Sequence, residues 1–362
     1  MSQHPYKNLP QHTRWSRSVA SVDMQDVDPV GTFPFRLTRS DRVATAGSCF
    51  AQHIARRLKA SGYTYYVVED GHPLGSEELK AEFGYGTYSA RYANIYTARQ
   101  LVQLFQRAFS QFSPLEDTWH DATNDAFVDP LRPAIQPGGF SSREEMQADR
   151  RQHLLAVRKM FETLDYFVFT LGLTETWIDR RDGTVFPVCP GVAGGNFDPS
   201  VFEFRNFSAL EVISDLNWFL HELRRVNPAA KVIFTVSPVP LAATARADTH
   251  VLTATTYSKS VLRVAAEEIA QIHGNVAYFP SYEIITGSFS RGSYFAEDLR
   301  SVREEGVDHV MKLFFKHATE ESDLASEPSQ QEEQRPDPFL EKMSNVVAVL
   351  CEEELIEKSM AS

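Results

Sequence analysis

Ser48, His250 and Asp298 are the residue types that nucleophilic attack on an acyl ester requires: a hydroxyl to attack, an imidazole to take its proton, and a carboxylate to orient the imidazole. Asp248, two residues before His250, is an alternative orienter. Ser48 follows the run Arg42-Val43-Ala44-Thr45-Ala46-Gly47, whose alternation and β-branched residues suit a short buried strand. From Phe50 the apolar residues Phe50, Ile54, Ala55 and Leu58 recur at helical spacing, so the period changes at Gly47-Ser48. A serine there stands at a helix N-terminus, where free backbone N–H groups and the helix dipole favour negative charge. The same pattern also fits a serine that only caps the helix.

The elements that would position these residues alternate along the chain. Residues 63 to 68 read as a second strand, bounded by Ser61-Gly62 and Asp70-Gly71. Helices are predicted over 97 to 109, with Thr97 as cap, and over 142 to 164. Residues 166 to 172 form a continuous apolar run, the pattern of a strand buried on both faces. Residues 177 to 205 look like an insertion, with a hairpin signal at Asp182-Gly183. A helix over 209 to 226, a strand over 231 to 237 stopped by Pro238, a helix over 255 to 272 and a strand over 276 to 279 follow. A last helix, with Val307, Val310, Met311, Phe314 and Phe315 on one face, ends near His317.

Strands separated by helical crossovers imply a parallel sheet with helices on both faces, and sites in such sheets form beyond the carboxyl ends of the strands. That rim collects Ser48, Gly172-Leu173-Thr174-Glu175, Ser237-Pro238, Ser281-Tyr282-Glu283 and Asp298-Leu299-Arg300-Ser301. His250, in the loop after the fourth strand, falls on the same rim; an exposed loop histidine is the plainer reading. His53 lies more than a helical turn beyond Ser48 and points elsewhere around its helix. His309 lies about 12 Å of helix rise beyond Ser301, too far to take a histidine's place there.

Gly47-Ser48-Cys49-Phe50-Ala51 resembles the signature of the GSCFA family, which is placed near the SGNH/GDSL-like esterases. Asn94-Ile95-Tyr96-Thr97-Ala98-Arg99-Gln100, Ser237-Pro238-Val239, Ser258-Lys259 and Tyr278-Phe279-Pro280-Ser281-Tyr282-Glu283 look like further family blocks in family order. The resemblance implies a flavodoxin-like, SGNH-hydrolase-like three-layer α/β/α sandwich whose five-stranded parallel sheet has the order 2-1-3-4-5. It also implies a serine esterase or O-acyltransferase acting on an acyl ester, carried by a small molecule or a glycan such as a polysaccharide. Ser48 would be the nucleophile, its own N–H and that of Gly172 the oxyanion donors, with Asn94, Glu175 and Ser237 as further oxyanion or substrate-binding residues.

Two departures stand out. Many SGNH enzymes have Asn-Asp after the glycine, where this chain has Thr174-Glu175. The superfamily's Asp-x-x-His before the last helix is here Asp298-Leu299-Arg300-Ser301, with serine at the histidine's position. His250 is therefore the base to be tested, with Asp298 or Asp248 behind it. The alternative is a catalytically degenerate ligand-binding or scaffold protein. Cys49 or Glu175 carrying a different hydrolytic chemistry, and a Ser-Lys pairing of Lys259 with Ser48 or Ser237, complete the options.

The chain has 362 residues, 43% hydrophobic and 23% charged, ordinary for a folded globular protein. A net charge of −12 argues against nucleic acid and anionic membranes as partners. Three cysteines, Cys49, Cys189 and Cys351, have neither metal-like spacing nor an even number, so no disulfide framework is expected. No apolar signal core or membrane-length run is present, and a cytoplasmic location is the expectation. Neither a metal-ligand cluster nor a glycine-rich phosphate loop is evident, so no cofactor is expected. Residues 1 to 41 read as an irregular arm, 42 to 318 as the GSCFA domain, and 319 to 362 as an acidic linker and short helix. That helix, over 338 to 358, is a candidate for binding a protein partner or a weakly docked tail.

Overall fold

The computed structural model describes residues 4–320 and Ile356. Its strands are β1 (Val43–Gly47), β2 (Trp119–Asp121), β3 (Ala126–Val128), β4 (Tyr166–Leu171), β5 (Glu175–Asp179), β6 (Val185–Phe186), β7 (Phe202–Asn206), β8 (Lys231–Val236) and β9 (Val276–Phe279). Its α-helices are α1 (Trp15–Ser18), α2 (Phe50–Ala60), α3 (Glu77–Glu82), α4 (Ala98–Ala108), α5 (Arg143–Thr163), α6 (Ala209–Val226), α7 (Val251–Ile272), α8 (Ser281–Thr286) and α9 (Glu304–Ala318). Capping boxes start two of them: Thr97 with Gln100 before α4, and Ser208 with Glu211 before α6.

A parallel sheet in the order β1-β4-β8-β9 forms the middle layer. Every residue of β1 and β4 is buried, and successive side chains leave by opposite faces. Phe167, Phe169, Phe234 and Val236 pack with Leu101, Phe105, Phe161, Phe219 and Leu262 of α4 to α7. Val43, Tyr166, Val168, Ile233 and Phe279 pack on the other side with Phe50, Ile54, Leu58, Val310 and Phe314 of α2 and α9. Two apolar layers explain the unbroken apolar runs of β4 and β8, since a strand covered on both faces has no position for a polar alternate.

The expected second strand is corrected by the structure: residues 63 to 68 make a single parallel bridge, Val43↔Tyr65, and the sheet has four strands instead of five. The bridge consists of Val43 N–H to the Thr64 carbonyl at 3.0 Å and Tyr66 N–H to the Val43 carbonyl at 2.8 Å. Beyond it Val68 N–H goes to the Ser89 carbonyl at 2.7 Å, and the next stretch of β1's edge is taken by side chains. Thr45 N–H donates to Ser89 Oγ at 2.9 Å, and Tyr92 Oη donates to the Thr45 carbonyl. Residues 177 to 205 form the antiparallel sheet β6-β5-β7, leaving the main sheet directly after Gly172. Between α4 and α5, β2 and β3 pair as an antiparallel hairpin.

Arm residues reach across the fold. Leu37 N–H bonds the Ala318 carbonyl at 2.7 Å, Glu320 N–H bonds the Leu37 carbonyl at 3.0 Å, and Phe33 and Phe35 pack against the α2/α9 layer. The helix expected over 338 to 358 lies outside the described residues, except that Ile356 packs against Trp119, Phe186 and Phe202.

Candidate active site around Ser48

The elbow between β1 and α2 is made by Gly47. Its φ is +133°, and a Cβ built there would lie 2.3 Å from the Thr170 carbonyl oxygen and 2.7 Å from the Thr170 nitrogen. Only glycine allows β1 to lie so close to β4 and then turn. Ser48 N–H donates to the Thr170 carbonyl at 3.2 Å, and the Gly47 carbonyl accepts from Ile95 N–H at 2.9 Å. Ser48 is 3% exposed, and its Oγ is buried with no hydrogen-bond partner among the described residues. The simple capping role therefore does not hold: the N-cap position of α2 is Cys49, and no side chain caps that helix.

Gly172, at the end of β4, faces Ser48 across the rim. A Cβ at Gly172 would come 3.1 Å from Ser48 Cβ and 3.1 Å from the Tyr96 carbonyl oxygen. That close approach explains the glycine. Both amides that follow β4 are engaged, Gly172 N–H with the Tyr96 carbonyl at 3.1 Å and Leu173 N–H with the same oxygen at 2.9 Å. In this geometry neither the Ser48 amide nor the Gly172 amide is open to an oxyanion.

Lys259 reaches this point from α7. It is 1% exposed, and its Nζ donates to the Gly172 carbonyl at 2.7 Å. Its neighbour Ser258 accepts from Thr174 N–H at 3.0 Å, so the Ser258-Lys259 pair ties α7 to the strand end beside Ser48. Lys259 is thus beside Ser48's strand end, with its Nζ bonded to a carbonyl and, among the described residues, not to the Ser48 hydroxyl. Its proximity follows from the long crossover that lays α7 back along β8.

Asn94 is buried, and its Oδ1 accepts from Tyr88 Oη, which in turn accepts from Gln52 Nε2 at 2.8 Å. Gln52 lies one turn of α2 beyond Ser48. Asn94 is thus tied to the helix that carries Ser48. Tyr88 and Gln52, which nothing in the local sequence distinguishes, are the groups that hold it.

The expected base and orienter are not joined to Ser48. His250 is exposed at the N-cap of α7, where its Nδ1 accepts from Leu252 N–H at 3.1 Å. Asp248 is exposed and accepts from Thr249 Oγ1. Asp298 closes its own turn, accepting from the Arg300 and Ser301 amides at 2.9 Å each and from Ser301 Oγ at 2.6 Å. Burial works to raise the Asp298 carboxyl, but the Ser301 hydroxyl and the two amides outweigh it and hold it below the usual range. The serine at the family's histidine position is therefore bonded to the aspartate of its own segment.

Ser237 is buried after β8, and its Oγ accepts from Val239 N–H at 3.3 Å. Glu175 starts β5 and accepts from Thr244 Oγ1 at 2.9 Å. His53 is pushed down to about 3 by burial and then by Arg56 and Arg57, and its Nδ1 meets Arg56 at 2.8 Å. His309 lies between Tyr294 Oη and the Val27 carbonyl. Among the described residues no imidazole hydrogen-bonds Ser48 Oγ.

A buried parallel α/β sheet that bends at Gly47 to place a serine at its first strand-to-helix junction defines a class of α/β proteins with a rim-borne hydroxyl. The chain belongs to the GSCFA family, whose family model matches residues 42–314. No curated protein sequence matches it. Among solved structures, an acetyl xylan esterase from the rumen bacterium Butyrivibrio proteoclasticus is similar at 11% identity with a TM-score of 0.28. The match covers 77% of this chain and 64% of that one. At that level the likeness carries no inference about activity.

Proposed function

We propose that this GSCFA protein is a serine-dependent acyl-ester hydrolase or O-acyltransferase with Ser48 as its nucleophile, acting on an acyl ester borne by a small molecule or a glycan. The observation that carries the reading is the Ser48 hydroxyl: buried, without a hydrogen-bond partner among the described residues, and held at a glycine elbow. A buried hydroxyl left unmade costs on the order of 1–3 kcal/mol, and such exceptions call for a functional account. Attack of Oγ on the ester carbonyl would give an acyl-enzyme and release the alcohol; water or an acceptor hydroxyl would then take the acyl group. His250 is the proposed proton carrier and Asp298 or Asp248 its orienter. That role requires the loop of residues 240 to 250 to carry the imidazole over Ser48, and the Gly172 amide to leave Tyr96 for the oxyanion. Asn94, Glu175 and Ser237 would line the substrate's approach.

The parallel order β1-β4-β8-β9 supports reading the sheet as SGNH-like, with residues 63 to 68 touching its edge only at the Val43↔Tyr65 bridge. Residues 42 to 318 would be the functional unit, 1 to 41 its arm and 319 to 362 its tail, and the cysteine pattern favours a cytoplasmic setting.

The second reading, a degenerate protein that binds an ester or sugar without turnover, is favoured by the Asp298–Ser301 bond. Hydrolysis of p-nitrophenyl acetate and intact-mass labelling by a fluorophosphonate separate the two. Labelling that disappears in Ser48→Ala, with hydrolysis that also falls in His250→Ala, is the expected result. Equal slow hydrolysis by all three proteins, without label, would move the assignment to the binding reading.

A further inference from the structure

A buried cluster of charges lies behind the site, between α4, α5 and the loops around residues 91 and 132. Arg132 Nε donates to Asp129 at 3.0 Å and its Nη2 to Asp149 at 2.8 Å. Arg91 reaches Asp149 at 2.6 Å, and Arg150 reaches Asp129 at 3.1 Å. Glu69 bonds His153, whose imidazole is held below its ordinary range first by burial and then by Arg132. The fourth guanidinium, Arg107 of α4, is 7% exposed, and no hydrogen bond or ion pair engages it among the described residues. Its Nη2 is buried without a partner.

Arg91, Arg132 and Arg150 are each met by a carboxylate of Asp129, Asp149 or Asp117, the last lying 3.7 Å from Arg150 and 2.7 Å from the surface residue Arg143. Arg107 feels Asp129 electrostatically but, alone of the four guanidiniums, makes no ion pair among the described residues. Burying an unpaired charge is costly, several kcal/mol even after relaxation, unless something of opposite sign meets it.

Space exists for that partner. Arg107 lines a cavity of about 30 Å³ together with Arg132, Gln100, Gln103, Asn94 and Ile95. About 10–15 Å³ holds one water, so the cavity admits one compact ion or two waters. Its other polar walls are largely engaged: Gln103 donates to the Gly183 carbonyl and accepts from Val185 N–H, and Arg132 is fully paired. The unmet group is a donor with a positive charge.

We propose that this cavity binds a compact monovalent anion, a halide or a short carboxylate, through Arg107. The site does not depend on Ser48 being a nucleophile. It does lie one residue from the elbow, because Ile95, which lines it, donates to the Gly47 carbonyl.

The test uses the full chain at constant ionic strength in sodium gluconate, replaced stepwise by sodium chloride or sodium acetate. The melting temperature is expected to rise with the logarithm of chloride or acetate concentration, since a ligand that binds only the folded state stabilises it. That rise should be lost in Arg107→Gln. Crystals of the wild type in bromide should give an anomalous peak, and crystals in acetate a planar density, within about 3.5 Å of Arg107 Nη2; this arm decides even where the variant does not fold. A response to chloride and bromide alone assigns a halide, and one to acetate alone a carboxylate, both within the proposal. Water alone at Arg107 in both crystals, or an anion response that persists in Arg107→Gln, overturns it.

Discussion

A single added methyl at Gly47 should unfold the elbow well before it alters any chemistry. In Gly47→Ala the new Cβ would stand 2.3 Å from the Thr170 carbonyl oxygen, 2.7 Å from its nitrogen and 2.8 Å from its Cβ. Two of these atoms are backbone of β4, which is paired with β1 on one side and β8 on the other, so it cannot retreat. The φ of +133° adds a backbone conformation that alanine rarely adopts. Strain of this kind costs about 1–3 kcal/mol, and overpacking a tight core adds about 1–3 kcal/mol. The sum is roughly 2–6 kcal/mol. One kcal/mol moves the melting temperature by about 2–4 °C in domains of 150–250 residues, with the lower figure apt for a longer chain. Calorimetry should therefore find Gly47→Ala melting roughly 4–12 °C below wild type. Gly31→Ala is the control, since a Cβ there meets nothing within 4 Å, and it should lie within about 0.5 kcal/mol of wild type. A Gly47→Ala protein that melts within about 1 °C of wild type would refute the account of the elbow.

Gly172→Ala should separate stability from chemistry: its Cβ would meet Ser48 Cβ at 3.1 Å without a positive φ, costing about 1–2 kcal/mol. Fluorophosphonate labelling of Ser48 should fall far more than the melting temperature, and unchanged labelling would contradict the proposed apposition. Acid should weaken the fold through Glu69 and His153. Burial works to raise the Glu69 carboxyl, but His153, the Arg91 amide and Arg132 together leave it at about 2. A carboxyl depressed on folding contributes stability that is full above its unfolded value near 4.5 and is lost as pH falls toward 2. His153, depressed by burial, loses stability as pH falls below its unfolded value near 6.5. Urea midpoints should therefore decline continuously from pH 6.5 to acid, and Glu69→Gln should flatten the part below pH 4.5; an unaltered slope would show that Glu69 is not the group titrating.

The main sheet was legible because β4 and β8 are covered on both faces, which forces runs such as Tyr166 to Leu171 that no surface strand would tolerate. The helices were legible from caps and periodicity. The second strand was overread because Tyr63 to Val68 has strand-forming residues, whereas what denies it a ladder is Ser89 and Tyr92, more than twenty residues downstream. The β2 and β3 strands have three residues each, too short for a period to register. Ser48 was identifiable because a change of period marks an elbow. Whether an imidazole stands over it was not, because that depends on how loops from opposite ends of the chain fold onto one rim. The charge cluster escaped for the same reason: Arg91 and Asp149 are 58 positions apart, and nothing local announces their meeting.

The pairing of Leu37 with Thr319 sets an order of events during synthesis. A ribosome adds about 5–20 residues per second. β1 must therefore wait roughly 6–24 s for β4 to be made, and Leu37 roughly 14–56 s for Thr319. For that interval an apolar strand and an aromatic-rich arm are without their partners. A nascent chain stalled before residue 319 would have Tyr166 and Phe279 in place for Phe35 and Phe33 but would leave Leu37 without its backbone partners, so that pairing is the last fastening of the arm.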